Sequence, residues 1–544
     1  MKTVLVALNA RFAHSSLALR YLKQYNAAFD IQIREFSIND SLGHMYAALL
    51  AEQAEVYAFS CYIWNMELTV KLAEMVKTAL PHCRILFGGP EAAYRAEAVL
   101  CRYPFLDGVM IGEGEATLKE VLHALQDGKS LSGIAGLQLR DVPLIPREPL
   151  DLGTVPQPYT MEDIAQNREK ILYFETSRGC PFHCAYCLSS AENTVRPFPM
   201  DYVKQGLSMF FAQQVPLVKL IDRTFNYDGH RAAEILRFIL AESQNTCVHM
   251  ELEPRILTEE VLELLGSAPK GKFQVEMGIQ SANPKTLTAV GRTADMETAA
   301  RHIRTLRGFG NMHMHLDLIA GLPYEDYESF GQSFDYVYGL KPHMLQLGFL
   351  KVLPGTAMEH ESRIRARSFP PYEVVCTDWI SPEELCRLKE VEQAVELFYN
   401  SGAFAKTIEK LTDNHPHPFA VFEELGTLFV QSQQTGKKKR KDWYGILHKT
   451  YGEEVYRELS EDFIRHNKSI PLPKFTRPER ERGFKDKAYQ LMKAPAFCEK
   501  YGVTPDLSRL RFERMDGTAW MMDYETGNLY DITREMGTKN DGIA

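Results

Sequence analysis

The stretch that decides the fold is Arg178-Gly179-Cys180-Pro181-Phe182-His183-Cys184-Ala185-Tyr186-Cys187, whose cysteines are separated by three and then two residues. An apolar, β-rich run over residues 171–176 precedes it. The cysteines are therefore predicted on a loop at the C-terminal end of a strand, where α/β folds usually carry their chemistry. Three clustered thiolates suit an iron–sulfur cluster and leave one iron of a four-iron cluster without a protein ligand. A zinc site is the main alternative, but it usually needs a fourth Cys or His, and no second Cys/His pair at the usual spacing of zinc ligands, with two to five residues between, follows.

The composition is that of an ordinary globular chain, and its 544 residues are enough for about three or four domains. The formal net charge of -9 disfavours bulk binding to nucleic acid, which usually needs a basic surface. Of the ten cysteines, seven lie outside the motif and are scattered, which is typical of reduced thiols in a cytoplasmic protein. The apolar residues 1–9 are too few to span a membrane and are interpreted as a first strand.

Strands and helices alternate over residues 1–140. The strand-like runs cover residues 4–8, 31–36, 56–61, 84–87 and 108–111. Five such alternations predict an open, doubly wound parallel sheet with helices on both faces. Ligands of such sheets bind outside the carboxyl ends of the strands.

Four of these strand ends carry unusual sequences, at residues 9–16, 60–65, 88–90 and 112–115. Small residues at three of them allow a large ligand to approach the backbone closely. Tight turns explain any single pair of glycines, but they explain the set of four less well.

Residues 141–168 contain five prolines and few apolar runs, which predicts an extended connector. From residue 169 to about residue 360 a second alternation yields six βα units, two fewer than a closed eight-fold barrel. Its strand ends also carry polar residues, at 222–226, 251–255, 276–281, 317–323 and 350–356. We therefore expect a partial (βα)6 barrel with its chemistry at these ends.

Together these features resemble the radical SAM enzymes, in particular the large class in which a cobalamin-binding domain precedes the barrel. The resemblance covers about residues 1–360 and implies an α/β protein with a Rossmann-like cobalamin-binding domain (1–140), a linker (141–168) and a TIM-like radical SAM barrel (169–360). It also implies three cofactors: a 4Fe-4S cluster, S-adenosylmethionine (SAM) and cobalamin. The Asp-x-His-x-x-Gly motif of many cobalamin proteins is missing, as it often is in this class.

The resemblance implies that Cys180, Cys184 and Cys187 bind the cluster. The residues expected to contact SAM are Phe182, Tyr186, Asp222, Glu251, Gln280, Ser281 and Leu322. Glu251 suits the ribose or the ammonium of SAM, and Asp222 suits the ammonium or the support of the cluster loop. Each such acidic residue is as readily explained by a helix cap or an ion pair.

The residues expected to contact cobalamin are Asn9, Ser15, Ser60, Tyr62, Trp64, Asn65, Gly88, Gly89, Pro90, Gly112, Glu113 and Gly114. Trp64 or a neighbour is the candidate for covering the lower face of the corrin, although a packing role explains this aromatic equally well. His14 is an alternative contact.

The implied activity is reductive cleavage of SAM to a 5′-deoxyadenosyl radical, followed by methylation of an unactivated carbon through methylcobalamin. The open alternatives are a cobalamin-dependent rearrangement or cyclisation, a methylthiotransferase-like modification of tRNA, and a non-catalytic cobalamin sensor or carrier. The expected partners are an unidentified small molecule or peptide and an electron donor such as flavodoxin or ferredoxin. No catalytic residue beyond the cofactor ligands is singled out.

Residues 361–544 are predicted to form a mainly helical domain whose role the sequence does not indicate. Apolar residues at helical spacing cover 385–398, and the tail over 509–532 is β-like with a turn at Thr526-Gly527-Asn528. The basic run Lys437-Lys438-Lys439-Arg440-Lys441 is interpreted as a solvated loop, with an electrostatic contact to RNA or an acidic partner as the alternative.

Overall fold

The computed structural model describes residues 1–191, 194–413, 415–434 and 436–537. The chain forms two compact units, Met1–His343 with Leu347–Pro382, and Met344–Gln346 with Glu383–Ala544. Across the described ranges, no helix combines the length and the apolar character that a bilayer crossing needs.

The first sheet has six strands in the order β2-β1-β3-β4-β5-β6. These are β1 (Lys2–Asn9), β2 (Asp30–Ser37), β3 (Val56–Ser60), β4 (Arg84–Gly88), β5 (Gly108–Met110) and β6 (Leu137–Gln138). The helices are α1 (Leu17–Tyr25), α2 (Leu42–Glu52), α3 (Met66–Ala79), α4 (Pro90–Ala93), α5 (Ala96–Arg102) and α6 (Gly114–Gln126). β1 to β5 pair in parallel, whereas the unpredicted β6 is antiparallel to β5.

Helices cover both faces of this sheet. Apolar side chains of α2 to α5, such as Leu49 and Leu72, pack on one face, and those of α1 and α6, such as Leu19 and Val121, pack on the other. The doubly wound arrangement expected from the alternation is confirmed, and it leaves the carboxyl ends of the strands free to carry a site.

The connector between the two sheets is less extended than its prolines suggested. It contains a 3-10 turn at Leu152–Thr154 and the helix α7 (Met161–Gln166). Thr160 and Asp163 form a capping box that starts α7. Leu152 and Ile164 are buried, so the connector packs as part of the fold.

The second sheet also has six strands, in the order β14-β13-β12-β11-β10-β7. The strands in this part of the chain are β7 (Leu172–Phe174), the short ribbon β8 (Ser177–Arg178) with β9 (Arg196–Pro197), then β10 (Leu217–Leu220), β11 (Cys247–Glu251), β12 (Phe273–Gln280), β13 (His313–Ala320) and β14 (Met344–Phe349). The helices are α8 (Met200–Ala212), α9 (Gly229–Glu242), α10 (Glu259–Ser267), α11 (Pro284–Ala289), α12 (Met296–Phe309) and α13 (Tyr327–Gly339). The strand order follows the chain, as expected for a partial barrel built from six βα units.

The remaining chain is mainly helical, as expected, with two small sheets. A two-stranded ribbon joins β15 (Ile364–Ala366) and β16 (Val374–Thr377), and a three-stranded sheet joins β17 (Leu510–Met515), β18 (Thr518–Asp523) and β19 (Leu529–Asp531). The helices are α14 (Pro382–Ala394), a π-helical turn (Val395–Asn400), α15 (Ala405–Asp413), α16 (Pro418–Gln433), α17 (Arg440–Tyr451), α18 (Tyr456–His466), α19 (Phe484–Lys493), α20 (Pro495–Tyr501) and α21 (Thr533–Met536). The predicted turn at residues 526–528 links β18 to β19, and the basic run leads into α17.

Candidate cofactor and active site

The cysteine loop begins directly after the β8 strand. Cys180 and Cys184 are buried and Cys187 is half-buried. Gly179 adopts a φ of 93°, and a Cβ at this position would lie 2.1 Å from the carbonyl oxygen of Thr194. The loop therefore leaves the ribbon by a path that only glycine can follow without strain.

Replacing Gly179 with alanine is expected to distort the loop at a cost on the order of 1–3 kcal/mol and to reduce iron incorporation at least about twofold. The matched control is Gly128→Ala, because Gly128 also has a positive φ, of 63°, but its Cβ would meet nothing within 4 Å. Iron per chain after anaerobic reconstitution and the thermal unfolding midpoint provide the measurements. Equal iron content in the two variants would contradict the expectation.

Asp222, just after β10, anchors the start of the loop. Its buried carboxylate accepts hydrogen bonds from the Thr176 backbone N–H at 2.9 Å, the Thr176 hydroxyl at 2.7 Å and the Ser177 hydroxyl at 2.6 Å. Burial raises the pKa of this carboxyl, and the three donors oppose that rise. Of the two roles expected for Asp222, its contacts favour support of the loop.

A guanidinium that the sequence analysis did not single out lies beside the cysteines. One nitrogen of Arg292, Nη1, lies 3.5 Å from Cys184 Sγ and 3.3 Å from the Tyr186 hydroxyl. The other, Nη2, donates to Glu253 at 3.0 Å and to the Gly278 carbonyl at 2.7 Å. A single arginine after a short helix forms no sequence pattern. Its position beside the cysteines is therefore visible only in the three-dimensional structure.

The donor set around the loop fits an iron–sulfur cluster. Three thiols lie on one loop, and the Thr224 hydroxyl lies 3.6 Å from Cys180 Sγ, where it can support a sulfur ligand. Within the described ranges, no three His, Cys, Asp or Glu side chains are already arranged as a metal site.

Two unpaired acceptors lie on neighbouring strands close to Arg292. Gln280 ends β12 with a φ of 71°, and its Oε1 is buried without a hydrogen-bond partner. Asp317 Oδ1 on β13 is also buried without a hydrogen-bond partner. Burial, together with the nearby Glu276, raises the pKa of Asp317. Buried acceptors without donors indicate a place for a ligand that brings hydroxyl or amine groups. Asp317 was missing from the predicted contacts, although its strand end was noted.

The other residues predicted for SAM occupy different positions. Phe182 and Tyr186 are half-buried on the loop, and Leu322 is fully buried. Ser281 is buried as well, and its hydroxyl donates to Glu325 at 2.5 Å. Glu251 is half-buried at the end of β11, and burial raises the pKa of its carboxyl to about 7.

The loop after β1 joins the first sheet to the barrel. His14 forms a parallel bridge to Ile171, and its Nδ1 lies 2.5 Å from the Tyr173 hydroxyl. The Ser15 hydroxyl donates to the Ile171 carbonyl at 2.9 Å. The Asn9 side chain donates to the His14 carbonyl at 3.0 Å. These predicted cobalamin residues therefore also shape the junction between the two sheets.

The loop after β3 presents an aromatic surface. Trp64 is 47% exposed and stacks on Tyr62 with ring centroids 4.4 Å apart. Asn65 is buried and donates to the carbonyls of Leu8 and Ser60, both at 3.0 Å, so it holds the loop from inside. The exposed Trp64 ring fits the apolar face of a large planar ligand.

The glycines that follow β4 differ in their surroundings from those that follow β5. A Cβ on Gly89, whose φ is 94°, would lie 2.6 Å from the Cys61 carbonyl oxygen, so this turn packs on protein backbone. Gly88 precedes it at the end of β4, and Pro90 starts α4. A Cβ on Gly112 would meet nothing within 4 Å, which leaves room for a ligand, whereas a Cβ on Gly114 would meet Leu22 at 3.2 Å.

Glu113 binds arginines of the cysteine-loop region. Its Oε1 accepts from Arg178 at 2.7 Å and from Arg196 at 2.8 Å, and its Oε2 accepts from the Leu150 backbone N–H at 2.7 Å. Although burial alone would raise the pKa of Glu113, the hydrogen bonds from Arg196 and Arg178 hold it below its usual value. Arg178 also pairs with Glu115 at 2.8 Å. Both carboxylate oxygens of Glu113 are thus occupied within the protein.

Three protein families match successive parts of the chain. The B12 binding domain matches residues 3–122, the Radical SAM superfamily matches residues 174–337, and the family described as "Protein of unknown function (DUF4080)" matches residues 360–515.

Similar proteins include an uncharacterized methyltransferase of Pyrococcus horikoshii, 26% identical over 299 residues, which are 53% of this chain and 64% of that protein. The cobalamin-dependent radical SAM methyltransferase TokK of Streptomyces tokunonensis is 25% identical over 345 residues, 58% of this chain and 50% of TokK. The chain therefore spans about half to two thirds of these relatives. A solved structure of the cobalamin-dependent S-adenosylmethionine radical enzyme OxsB superposes with a TM-score of 0.61 at 14% identity, over 84% of this chain and 76% of OxsB, and shows a shared fold.

The family matches follow the same order as the structure. Most of the first sheet falls in the B12-binding match, and most of the second sheet, with the cysteine loop, falls in the Radical SAM match. The chain therefore contains a B12-binding domain, a Radical SAM domain and a DUF4080 domain, in that order along the sequence.

Proposed function

We propose that this protein is an enzyme that uses a 4Fe-4S cluster, SAM and cobalamin to methylate an unactivated carbon. The observation that carries the proposal is the position of Arg178. It stands two residues before Cys180 and pairs with Glu113 and Glu115, which follow β5 in the B12-binding domain. One ion-pair network therefore links the loop that suits the cluster to a strand end that suits the corrin.

When bound, the cluster supplies the electron for SAM cleavage and cobalamin supplies the methyl group. In this proposal Cys180, Cys184 and Cys187 are the iron ligands. The Arg292 cation, beside Cys184, attracts the carboxylate of SAM.

The unpaired acceptors of Gln280 and Asp317 receive the ribose hydroxyls. The Tyr186 ring and the backbone at Leu322 border the adenine. The stacked pair of Trp64 and Tyr62 lies against the corrin.

The domain boundaries expected from the sequence are part of the proposal: residues 1–140 hold the corrin, 169–360 hold the cluster and SAM, and 361–544 have a role still to be assigned. Methyl transfer, as opposed to rearrangement, is favoured by the names of the curated relatives. A flavodoxin or ferredoxin as reductant and a cytoplasmic location fit the cluster, which needs a reducing environment.

Anaerobic reconstitution with iron, sulfide and hydroxocobalamin tests the proposal. We expect about four irons per chain, a corrinoid spectrum that survives gel filtration, and 5′-deoxyadenosine once reductant and SAM are added. Methyl-labelled SAM added to a cell extract with the enzyme should then label one compound. Failure to form 5′-deoxyadenosine would refute SAM cleavage, and loss of the corrinoid on the column would refute the role of cobalamin.

A further inference from the structure

The chain after β14 forms a segment that contacts both the cysteine loop and the barrel. This bridging segment, residues 351–377, includes β15 and β16 and belongs to the first compact unit, although most of it falls in the DUF4080 match. The Met358 backbone N–H donates to the carbonyl of Ala185, between two of the motif cysteines, at 3.2 Å. A Cβ on Gly321, in the loop after β13, would lie 2.8 Å from Val374 Cγ1. The bridging segment therefore packs against the two loops to which the cluster and SAM are assigned.

The bridging segment also contacts the B12-binding domain. Arg95, between α4 and α5, pairs with Glu359 at 2.8 Å. Its guanidinium carbon lies 5.3 Å from the centre of the Tyr372 ring. A Cβ on Gly355, whose φ is 86°, would lie 2.2 Å from the Tyr94 ring. One continuous segment thus lies against all three regions to which cofactors are assigned.

Tyr372 joins the bridging segment to a buried carboxylate. Tyr372 is 6% exposed, and its hydroxyl donates to Oε1 of Glu91, which is 7% exposed. Burial raises the pKa of Glu91, and the hydrogen bond from Tyr372 opposes that rise, so this bond stabilises the ionised carboxylate. Tyr372 has a φ of 55°, which aromatic residues rarely adopt, and the Val352 backbone N–H donates to its carbonyl at 2.9 Å. The surrounding backbone therefore fixes this tyrosine in an uncommon conformation.

Glu91 is bonded to the loop that presents the aromatic surface. Its backbone N–H donates to the Cys61 carbonyl at 3.3 Å, and the Cys61 N–H donates to the Gly88 carbonyl at 2.7 Å. The turn after β4 and the loop after β3 are therefore held together through their backbones. That loop carries the stacked rings of Tyr62 and Trp64, which the proposed function places against the corrin.

We propose that Tyr372 is a positioning residue for cobalamin, which acts through Glu91 on the loop that carries Trp64. Without the Tyr372 hydroxyl, the buried carboxylate loses its donor and must take up a proton or move toward water. Either change loosens the turn after β4 and the aromatic loop bonded to it. The inference rests on the proposed function, since it concerns the corrin site, and it goes beyond that function by giving part of the DUF4080 match a role.

The test measures binding of hydroxocobalamin to the whole chain, reconstituted with its cluster, by equilibrium dialysis. We expect Tyr372→Phe, which removes only the hydroxyl, to weaken binding at least about fivefold. The induced circular dichroism of the bound corrinoid should also change, because the aromatic loop against it moves, while iron content stays the same. Glu91→Ala should weaken binding to the same extent. The double variant should bind no more weakly than either single variant, because the two changes break the same contact.

The matched control is Tyr57→Phe, which removes another buried hydroxyl of the same domain. Tyr57 lies near the amino end of β3, away from the carboxyl ends of the strands, and its hydroxyl donates to the Leu49 carbonyl at 2.9 Å. This variant should lower the thermal unfolding midpoint but keep hydroxocobalamin affinity within about twofold and its circular dichroism unchanged. The control therefore separates positioning of the corrin from a general loss of stability.

Three results would overturn the inference: unchanged affinity and circular dichroism in Tyr372→Phe, additive losses in the double variant, or an equal loss of affinity in Tyr57→Phe. If the unmodified chain binds no hydroxocobalamin, the proposed role of cobalamin fails. If the unmodified chain binds it and Tyr372→Phe binds it equally well, the inference alone fails.

Discussion

Replacing Cys184 with alanine is expected to abolish cluster binding and SAM cleavage together. Cys184 is buried in the middle of the cysteine motif, and its Sγ lies 3.5 Å from the Arg292 guanidinium. Two thiols and an open iron cannot retain a four-iron cluster, so iron should fall from about four per chain to near zero. Formation of 5′-deoxyadenosine should fall by more than about a thousandfold, because no other group in the proposed site supplies the electron.

The matched control is Cys101→Ala, which removes an exposed cysteine of α5. It should retain iron and 5′-deoxyadenosine formation at the level of the unmodified protein. Corrinoid retention should survive in both variants, since cobalamin is assigned to a different domain. A Cys184→Ala protein that still produced 5′-deoxyadenosine would show that the cluster has other ligands.

The sequence could predict the cysteine loop because its signals are local. The motif follows an apolar strand-like run, and strand ends of α/β folds collect functional residues. The structure places Cys180 after a short strand and Asp222 just behind it, and both residues had been singled out.

The contacts of Glu113 could not be predicted from local sequence signals. Its place in the Gly112-Glu113-Gly114 strand end suggested a contact to cobalamin, but Arg178 and Arg196, which occupy its carboxylate, lie 65 and 83 residues later. No periodicity or spacing connects residues so far apart.

Arg292 was missed for the same reason, because its contacts with Cys184 span 108 residues. The connector is a different case. Five prolines favoured an extended chain, but Thr160 and Asp163 were a visible capping box for α7. The sequence therefore contains a helix-start signal at Thr160 and Asp163, although the proline content of the connector predicts an extended chain.

Replacing Arg178 with methionine is expected to lower the free energy of unfolding by about 3–5 kcal/mol, because it leaves the carboxylates of Glu115 and Glu175 without their cation and Glu113 with Arg196 alone. The Arg178 side chain is 13% exposed and pairs with Glu113, Glu115 and Glu175. The matched control is Arg84→Met, since Arg84 also pairs with a carboxylate of the first sheet but is 51% exposed. Its loss should cost no more than about 1 kcal/mol.

Urea unfolding midpoints of the two variants provide the measurement, and equal shifts would contradict the role given to Arg178. Because the pair network joins the B12-binding domain to the cysteine loop, Arg178→Met should also weaken corrinoid retention. Arg84→Met should leave corrinoid retention unchanged.

The pH dependence of the Arg178→Met effect follows from Glu175. Burial already raises the pKa of Glu175 to about 7 while Arg178 opposes that rise, so removing the arginine raises it further. At pH values between the ordinary pKa of glutamate and the raised pKa of Glu175, the folded variant binds a proton that the unfolded chain does not bind. Stability of the variant therefore falls as the pH rises through this window. The loss of unfolding free energy in Arg178→Met, relative to the unmodified protein, should be larger at about pH 8 than at about pH 6. A loss that is the same at both pH values would show that Glu175 does not cause the destabilisation.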